Sequence, residues 1–198
     1  MLITVDWIRQ RLLDGGQAMG SQAIHETPSR IVSPIPAAVL IPIVNRSSGL
    51  TVLLTQRTAH LRDHAGQVSF PGGRCEPVDS SPVATALRES REEVGIASEQ
   101  VEILTYLPDY FTSTGFRVTP VVGLVTPPLN LRLDDFEVAE VFEPPLSFLL
   151  DPANYQRHQV EREGVLHTYW AVPWQGYFIW GATAGMLVGL RDCLMPKA

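Results

Sequence analysis

Apolar residues recur along this chain at two periods, and the alternation between them outlines a mixed α/β fold. In 4–14, Val5, Ile8 and Leu12 follow helical spacing and predict a short amphipathic helix. Residues 15–35, with Gly15-Gly16, several serines and two prolines, read as a loop leading into the core. The apolar run PAAVLIPIVN at 36–45 suits a buried strand. NRSSG at 45–49 is a turn, and LTVLLTQR at 50–57 reads as the antiparallel partner. Further strands are predicted at 101–107 and 117–125, and a short helix at 144–150. A hairpin turning at Glu163-Gly164 is expected within 158–172, and a closing apolar helix at 180–193. The stretch 129–142 is acidic and mixed. Strands with a helix on each face predict an α/β/α sandwich around a mixed sheet.

The most specific element lies at 82–95. Ser81 can cap a helix, Pro82 suits its first position, and Gly95 suits the position just past its end. Val83, Leu87, Ser90 and Val94 form a mostly apolar stripe, and Glu89, Glu92 and Glu93 are expected off it. These glutamates stand at i, i+3 and i+4 and therefore share one face. Two carboxylates about 5 Å apart repel by about 3 kcal/mol at an effective dielectric near 20. A hard divalent cation removes that repulsion and prefers oxygen ligands. The other reading is a solvated acidic face, with Arg88 and Arg91 as ion-pair partners.

The full string, Gly72-Gly73 followed by R-E-x-x-E-E-x-G at 88–95 and an aliphatic residue, resembles the signature of the Nudix hydrolases. That resemblance implies a Nudix-type sandwich, magnesium or manganese, and cleavage of a nucleoside diphosphate linked to another group. The spacing departs from the usual pattern. Asp79 stands where glutamate is usual, eight residues rather than seven separate it from Arg88, and Ser90 replaces a common aliphatic residue. Glu76 and Asp79 are both candidates for the upstream acid.

A second motif precedes the first. LLTQRTAHLRDHAGQVSFPGG at 53–73 resembles the segment found before the signature in the coenzyme A diphosphatase branch. Leu53, Leu54, Thr55, Arg57, Arg62, Gly66, Phe70, Pro71, Gly72 and Gly73 fall in place, with Thr58 where Ser or Ala is usual. An anion rich in phosphate calls for guanidinium partners, which bind it bidentately. Arg57, Arg62 and His64 concentrate positive or switchable charge in eight residues, and Gly66 would let backbone approach a ligand closely. TSTGFRVTPVVG at 112–123 and YFIWGATAG at 177–185 resemble the same branch more weakly. Tyr177, Phe178 and Trp180 suit a core or pocket wall.

Bulk properties narrow the partners. With 198 residues, 45% hydrophobic and 18% charged, the chain can bury a sizeable core. We expect residues 1–30 as an N-terminal helix and loop extension, and 31–198 as one Nudix domain. A net charge of −6 provides no basic excess to displace counterions, so nucleic acid is not an expected partner. Cys75 and Cys193 form no metal or disulfide pattern, which suggests a reduced, cytoplasmic setting. No secretory pattern opens the chain, and no run of about 18 apolar residues suits a bilayer. His60, His64, His158 and His167 lack zinc spacing.

The resemblance implies roles. Glu92 and Glu93 would hold the metal, with Glu89 as a third ligand or as the base that activates water. Arg88 would orient a carboxylate, and Glu137 or Glu140 would assist from the acidic stretch. Arg57, Arg62, His64, Gly66, Gly72 and Gly73 would bind substrate. With coenzyme A, the expected products are 3′,5′-ADP and 4′-phosphopantetheine. The alternatives are a Nudix hydrolase of ADP-ribose or a dinucleotide, and a non-catalytic nucleotide-sensing module. The resemblance is also compatible with a homodimer.

Overall fold

The computed structural model describes residues 3–16, 24–25, 33–61, 64–162 and 164–196. Its first half comprises α1 (Val5–Gly16), β1 (Ile24–His25), β2 (Ile35–Arg46), β3 (Gly49–Val52), β4 (Leu54–Arg57), β5 (Val68–Ser69), β6 (Gly72–Arg74) and α2 (Pro82–Val94). The second half comprises β7 (Val101–Tyr106), β8 (Tyr110–Phe111), β9 (Phe116–Val125), β10 (Val138–Phe142), α3 (Leu146–Leu150), β11 (Gln156–Arg162), β12 (Val165–Trp174), β13 (Tyr177–Trp180) and α4 (Gly181–Leu194). Most of the loop expected at 15–35, together with Arg62 and Glu163, lies outside the described residues.

The apolar run expected at 36–45 becomes β2, the spine of a mixed sheet. It pairs in parallel with β9 along one side and antiparallel with β6 and then β3 along the other. A proline inside a central strand would ordinarily forfeit a ladder bond. Pro42 avoids this because it faces the gap between β6 and β3, where its carbonyl accepts from Leu53 N at 3.0 Å.

Both faces of this sheet are covered, so its two faces read as one continuous apolar run. On one face, Ala38 and Leu40 of β2 and Val121 of β9 pack with Ala86 of α2. On the other, Ile41 and Ile43 join Ile8 and Leu12 of α1 and Leu187 and Leu190 of α4 in the main core. The α/β architecture with helices on both faces matches the expectation. Arg9 of α1 also bonds Glu102 of β7, at 2.7 Å.

The single strand expected at 50–57 is two. The chain leaves the main sheet at the fully buried Leu53 and enters a second sheet, in which β4 lies between β10 and β5. Apolar periodicity records burial, and burial is unbroken through 52–55, so the change of sheet leaves no trace in the pattern. β10 arises from the stretch that read only as acidic and mixed. The hairpin forms as β11 and β12, and β13 extends it to three strands at a segment expected as core or pocket wall. No helix among the described residues is long and apolar enough to cross a membrane.

Candidate active site

The chemistry gathers where β4, β6, α2 and the chain entering β10 meet. Helix α2 begins and ends as its sequence dictates: Ser81 Oγ accepts from Ala84 N at 3.2 Å, and Gly95 adopts φ 76° with its N–H on Arg91 O. Its buried residues are Thr85, Ala86, Ser90, Glu93 and Val94. The expected stripe is therefore rotated: Val83 and Leu87 are only half-buried, and Glu93 lies on the buried face rather than off it. Ser90, unusual at its place in the motif, is satisfied by donating to Ala86 O at 2.6 Å.

Glu93 is only 5% exposed. Its Oε2 accepts from Gly72 N at 3.2 Å, and its Oε1 lies 3.8 Å from Arg57 Nη1. Burial is the main cause that pushes its pKa up, to about 8, against the Gly72 bond and the Arg57 charge. Glu89 is also raised, again chiefly by burial, while Arg88 pulls it down. The Glu89 carboxylate rests on Gly73, where an added Cβ would meet Oε1 at 2.5 Å. At Gly72 an added Cβ would meet the Val39 backbone at 2.6 Å, so close packing requires glycine at 72, whereas at 73 only the end of the Glu89 side chain stands in the way.

Arg88 makes five hydrogen bonds. Nε and Nη2 grip Asp79 Oδ1 and Oδ2 at 3.0 and 2.9 Å, Nη1 reaches Glu89 and Glu92 at 2.9 and 3.0 Å, and Nη2 also donates to Arg74 O at 3.1 Å. Asp79 Oδ2 additionally accepts from Thr85 Oγ1 and Glu76 N, both at 2.9 Å. The Arg88 guanidinium holds the Asp79 carboxyl well below its usual range. Of the two candidates for the upstream acid, Asp79 is thus committed to fastening the loop to α2, and Glu76 is exposed.

Arg57, at the end of β4, faces two acids without closing on either: Glu93 at 3.8 Å and Glu137 at 3.6 Å. Its Nε is buried and has no hydrogen-bond partner among the described residues. Glu137 also acts electrostatically on both Glu89 and Glu93. Glu140 is engaged elsewhere, by the Tyr177 hydroxyl. The structure thereby separates two acids that sequence could not distinguish; the only signal available was their shared acidic stretch.

Two further candidates, His64 and Gly66, lie in the loop between β4 and β5. Exposed His64 has φ 59° and its ring bonds Gln67 Oε1 at 2.8 Å. Gly66 has φ 68° with open space around its Cα, so its conformation rather than close packing calls for glycine. A polar depression of about 430 Å³ on the hairpin is lined by Arg157, His158, Gln159 and Thr168 and contains none of the carboxylates.

Among the described residues, no three acidic, cysteine or histidine side chains converge as a finished ion cage. Guanidinium groups stand between the acids instead: Arg88 between Glu89 and Glu92, and Arg57 between Glu93 and Glu137. The donor set still fits a hard divalent cation, because it consists of carboxylates, with Glu93 buried and Glu89 half-buried, and burial raises the pKa of both despite their arginine neighbours.

Comparison with known proteins identifies the arrangement. The pattern described as NUDIX domain matches residues 34–163. The chain belongs to the Nudix hydrolase family. It is 50% identical over 76% of its length to the uncharacterized Nudix hydrolase NudL of Citrobacter koseri, of which it covers 78%. It is 46% identical over 86% of its length to NudL of Salmonella paratyphi B, also uncharacterized, of which it covers 86%. A solved Nudix hydrolase from M. smegmatis, RenU, aligns over 58% of this chain and 73% of its own, with 22% identity and a TM-score of 0.49. As a Nudix hydrolase, the protein cleaves the phosphoric anhydride of a nucleoside diphosphate derivative. Enzymes of this family use divalent metal ions.

Proposed function

We propose that this Nudix hydrolase cleaves the diphosphate bridge of coenzyme A or its derivatives, with magnesium or manganese, to 3′,5′-ADP and 4′-phosphopantetheine or its acyl form. One observation carries the substrate reading. Arg57, a fixed position of the 53–73 motif, faces the carboxylate cluster with a buried Nε that no described residue satisfies. A buried donor without a partner costs about 1–3 kcal/mol. A diphosphate oxygen is the kind of acceptor that would recover that cost.

Glu92, Glu93 and Glu89 would hold the cation, which would neutralise charge on the transferring phosphoryl group. Glu89 Oε1 accepts from Arg88, which leaves Oε2 to take a proton from the attacking water. Water adds to one phosphorus, the bridging P–O bond breaks, and the leaving phosphate departs toward the positive end of Arg57. Arg88 keeps Glu89 and Glu92 oriented. Gly73 gives Glu89 room, and the Gly72 N–H fixes Glu93.

The test is hydrolysis of coenzyme A with magnesium or manganese, beside ADP-ribose and a dinucleotide, with products separated by chromatography. The proposal predicts 3′,5′-ADP from coenzyme A at a higher kcat/KM than from the other two, and loss of that product in Glu92→Gln. Intact coenzyme A with cleaved ADP-ribose would refute the substrate reading.

A further inference from the structure

We infer that Phe136 and His60 form a stacking platform for the nucleobase of the substrate. The inference rests on the reading that the substrate anhydride lies between Arg57 and the glutamates. Phe136 is 65% exposed, and single exposed aromatics are ordinary. What distinguishes this one is its support. Its N–H donates to Asp134 Oδ1 at 2.9 Å, and its carbonyl accepts from the hydroxyl of buried Thr58 at 2.7 Å. On the next residue, Glu137 O accepts from Thr58 N at 2.9 Å and Glu137 N donates to Asp134 O at 3.0 Å. The backbone under the ring is therefore fixed, while the ring itself is left outside the core. Its aromatic neighbour is His60, at a centroid distance of 4.8 Å and tilted by 60°.

Both rings lie beside the reacting cluster. Phe136 adjoins Glu137, which faces Arg57. His60 follows Arg57 by three residues, which places its backbone within about 10 Å even if that segment is fully extended. The chemistry of the ledge selects the ligand group. Asp134, Asp135 and Glu137 surround Phe136 in the sequence, so a phosphate or carboxylate would be repelled there. A neutral flat heterocycle carrying amino donors meets an aromatic face and acidic acceptors together. The phosphates are left to Arg57, and the base to Phe136.

The experiment uses the full chain as wild type, Phe136→Ala, Phe136→Trp and His60→Ala. It measures affinity for ADP and for inorganic pyrophosphate by titration calorimetry with magnesium, and kcat and KM on coenzyme A. Phe136→Ala is expected to weaken ADP about tenfold, raise KM by a similar factor, and leave kcat within about twofold. Pyrophosphate affinity stays unchanged, Phe136→Trp stays close to wild type, and His60→Ala shows a smaller loss in the same direction. Unchanged ADP affinity in Phe136→Ala, or equal losses for ADP and pyrophosphate, would overturn the platform. If coenzyme A is not cleaved but ADP affinity still falls, the substrate assignment fails and the platform stands.

Discussion

Arg88 and Arg57 flank the same row of glutamates, yet they are held in opposite ways. Arg88 makes five hydrogen bonds and is gripped by buried Asp79. Among the described residues, Arg57 has two ion contacts no closer than 3.6 Å and a buried Nε without a partner. Native proteins satisfy nearly all buried polar groups, so we read this exception beside the glutamates as a contact for the proposed substrate. The saturated arginine belongs to the scaffold. On the proposed reading, the unsatisfied one belongs to the reaction.

The same division separates the acids. Asp79 uses both oxygens within its clamp. Glu93 is buried beside one amide and a distant guanidinium. The largest expected effect follows from removing its charge. Glu93→Gln should lower kcat by about 10²–10³, while metal-free stability at pH 8 holds or rises, because a costly buried charge is gone. A variant that is equally inactive but unfolded in a denaturant titration would move Glu93 to the scaffold side.

The paired glycines sharpen the contrast. At Gly72 an added methyl would strike the β2 backbone, so Gly72→Ala should cost about 2–4 kcal/mol of stability. At Gly73 it would strike the movable end of Glu89, so Gly73→Ala should keep most of its stability and lose roughly tenfold in kcat. Urea unfolding and steady-state kinetics on both variants check this, and identical stability losses would count against it.

A further effect concerns pH, where the two regions should act with opposite sign. Glu93 binds its proton up to about pH 8 in the fold, against 4.5 ordinarily. Between those values the folded state holds a proton that the unfolded chain has released, so the stability of the metal-free protein falls as pH rises from 4.5 to about 8. Asp79 titrates below its ordinary 3.8. Its contribution is present in full above that value and is lost as pH falls through its lowered pKa. Thermal melting across pH should show the higher-pH decline weakened in Glu93→Gln and the acid limb weakened in Asp79→Asn.

Much of this was legible in the sequence because it is local. The ends of α2, the grouping of its glutamates and the apolar spine at β2 all follow from short-range spacing. The misread parts depend on distant partners. Glu93 could be placed on the buried face only once Gly72 was known to approach it, 21 residues earlier in the chain. Glu137 could be told from Glu140 only by the folding of β10 onto β4, which turns one toward Arg57 and leaves the other to Tyr177. The sheet change at Leu53 leaves no signal, because burial continues through it.

The most direct test of this division of labour compares Arg88→Ala with Arg57→Ala, measuring unfolding free energy and kcat/KM on coenzyme A for each. Arg88→Ala should lose about 3 kcal/mol of stability, as expected when a buried pair loses one member. Arg57→Ala should change stability by less than about 1 kcal/mol, because its ion contacts are 3.6 and 3.8 Å long and its Nε bonds no described residue, yet lose tenfold or more, on the order of a charged hydrogen bond, in kcat/KM. If Arg57→Ala instead unfolds the protein, or retains full kcat/KM while Arg88→Ala remains stable, the assignment of scaffold and reacting arginine is wrong.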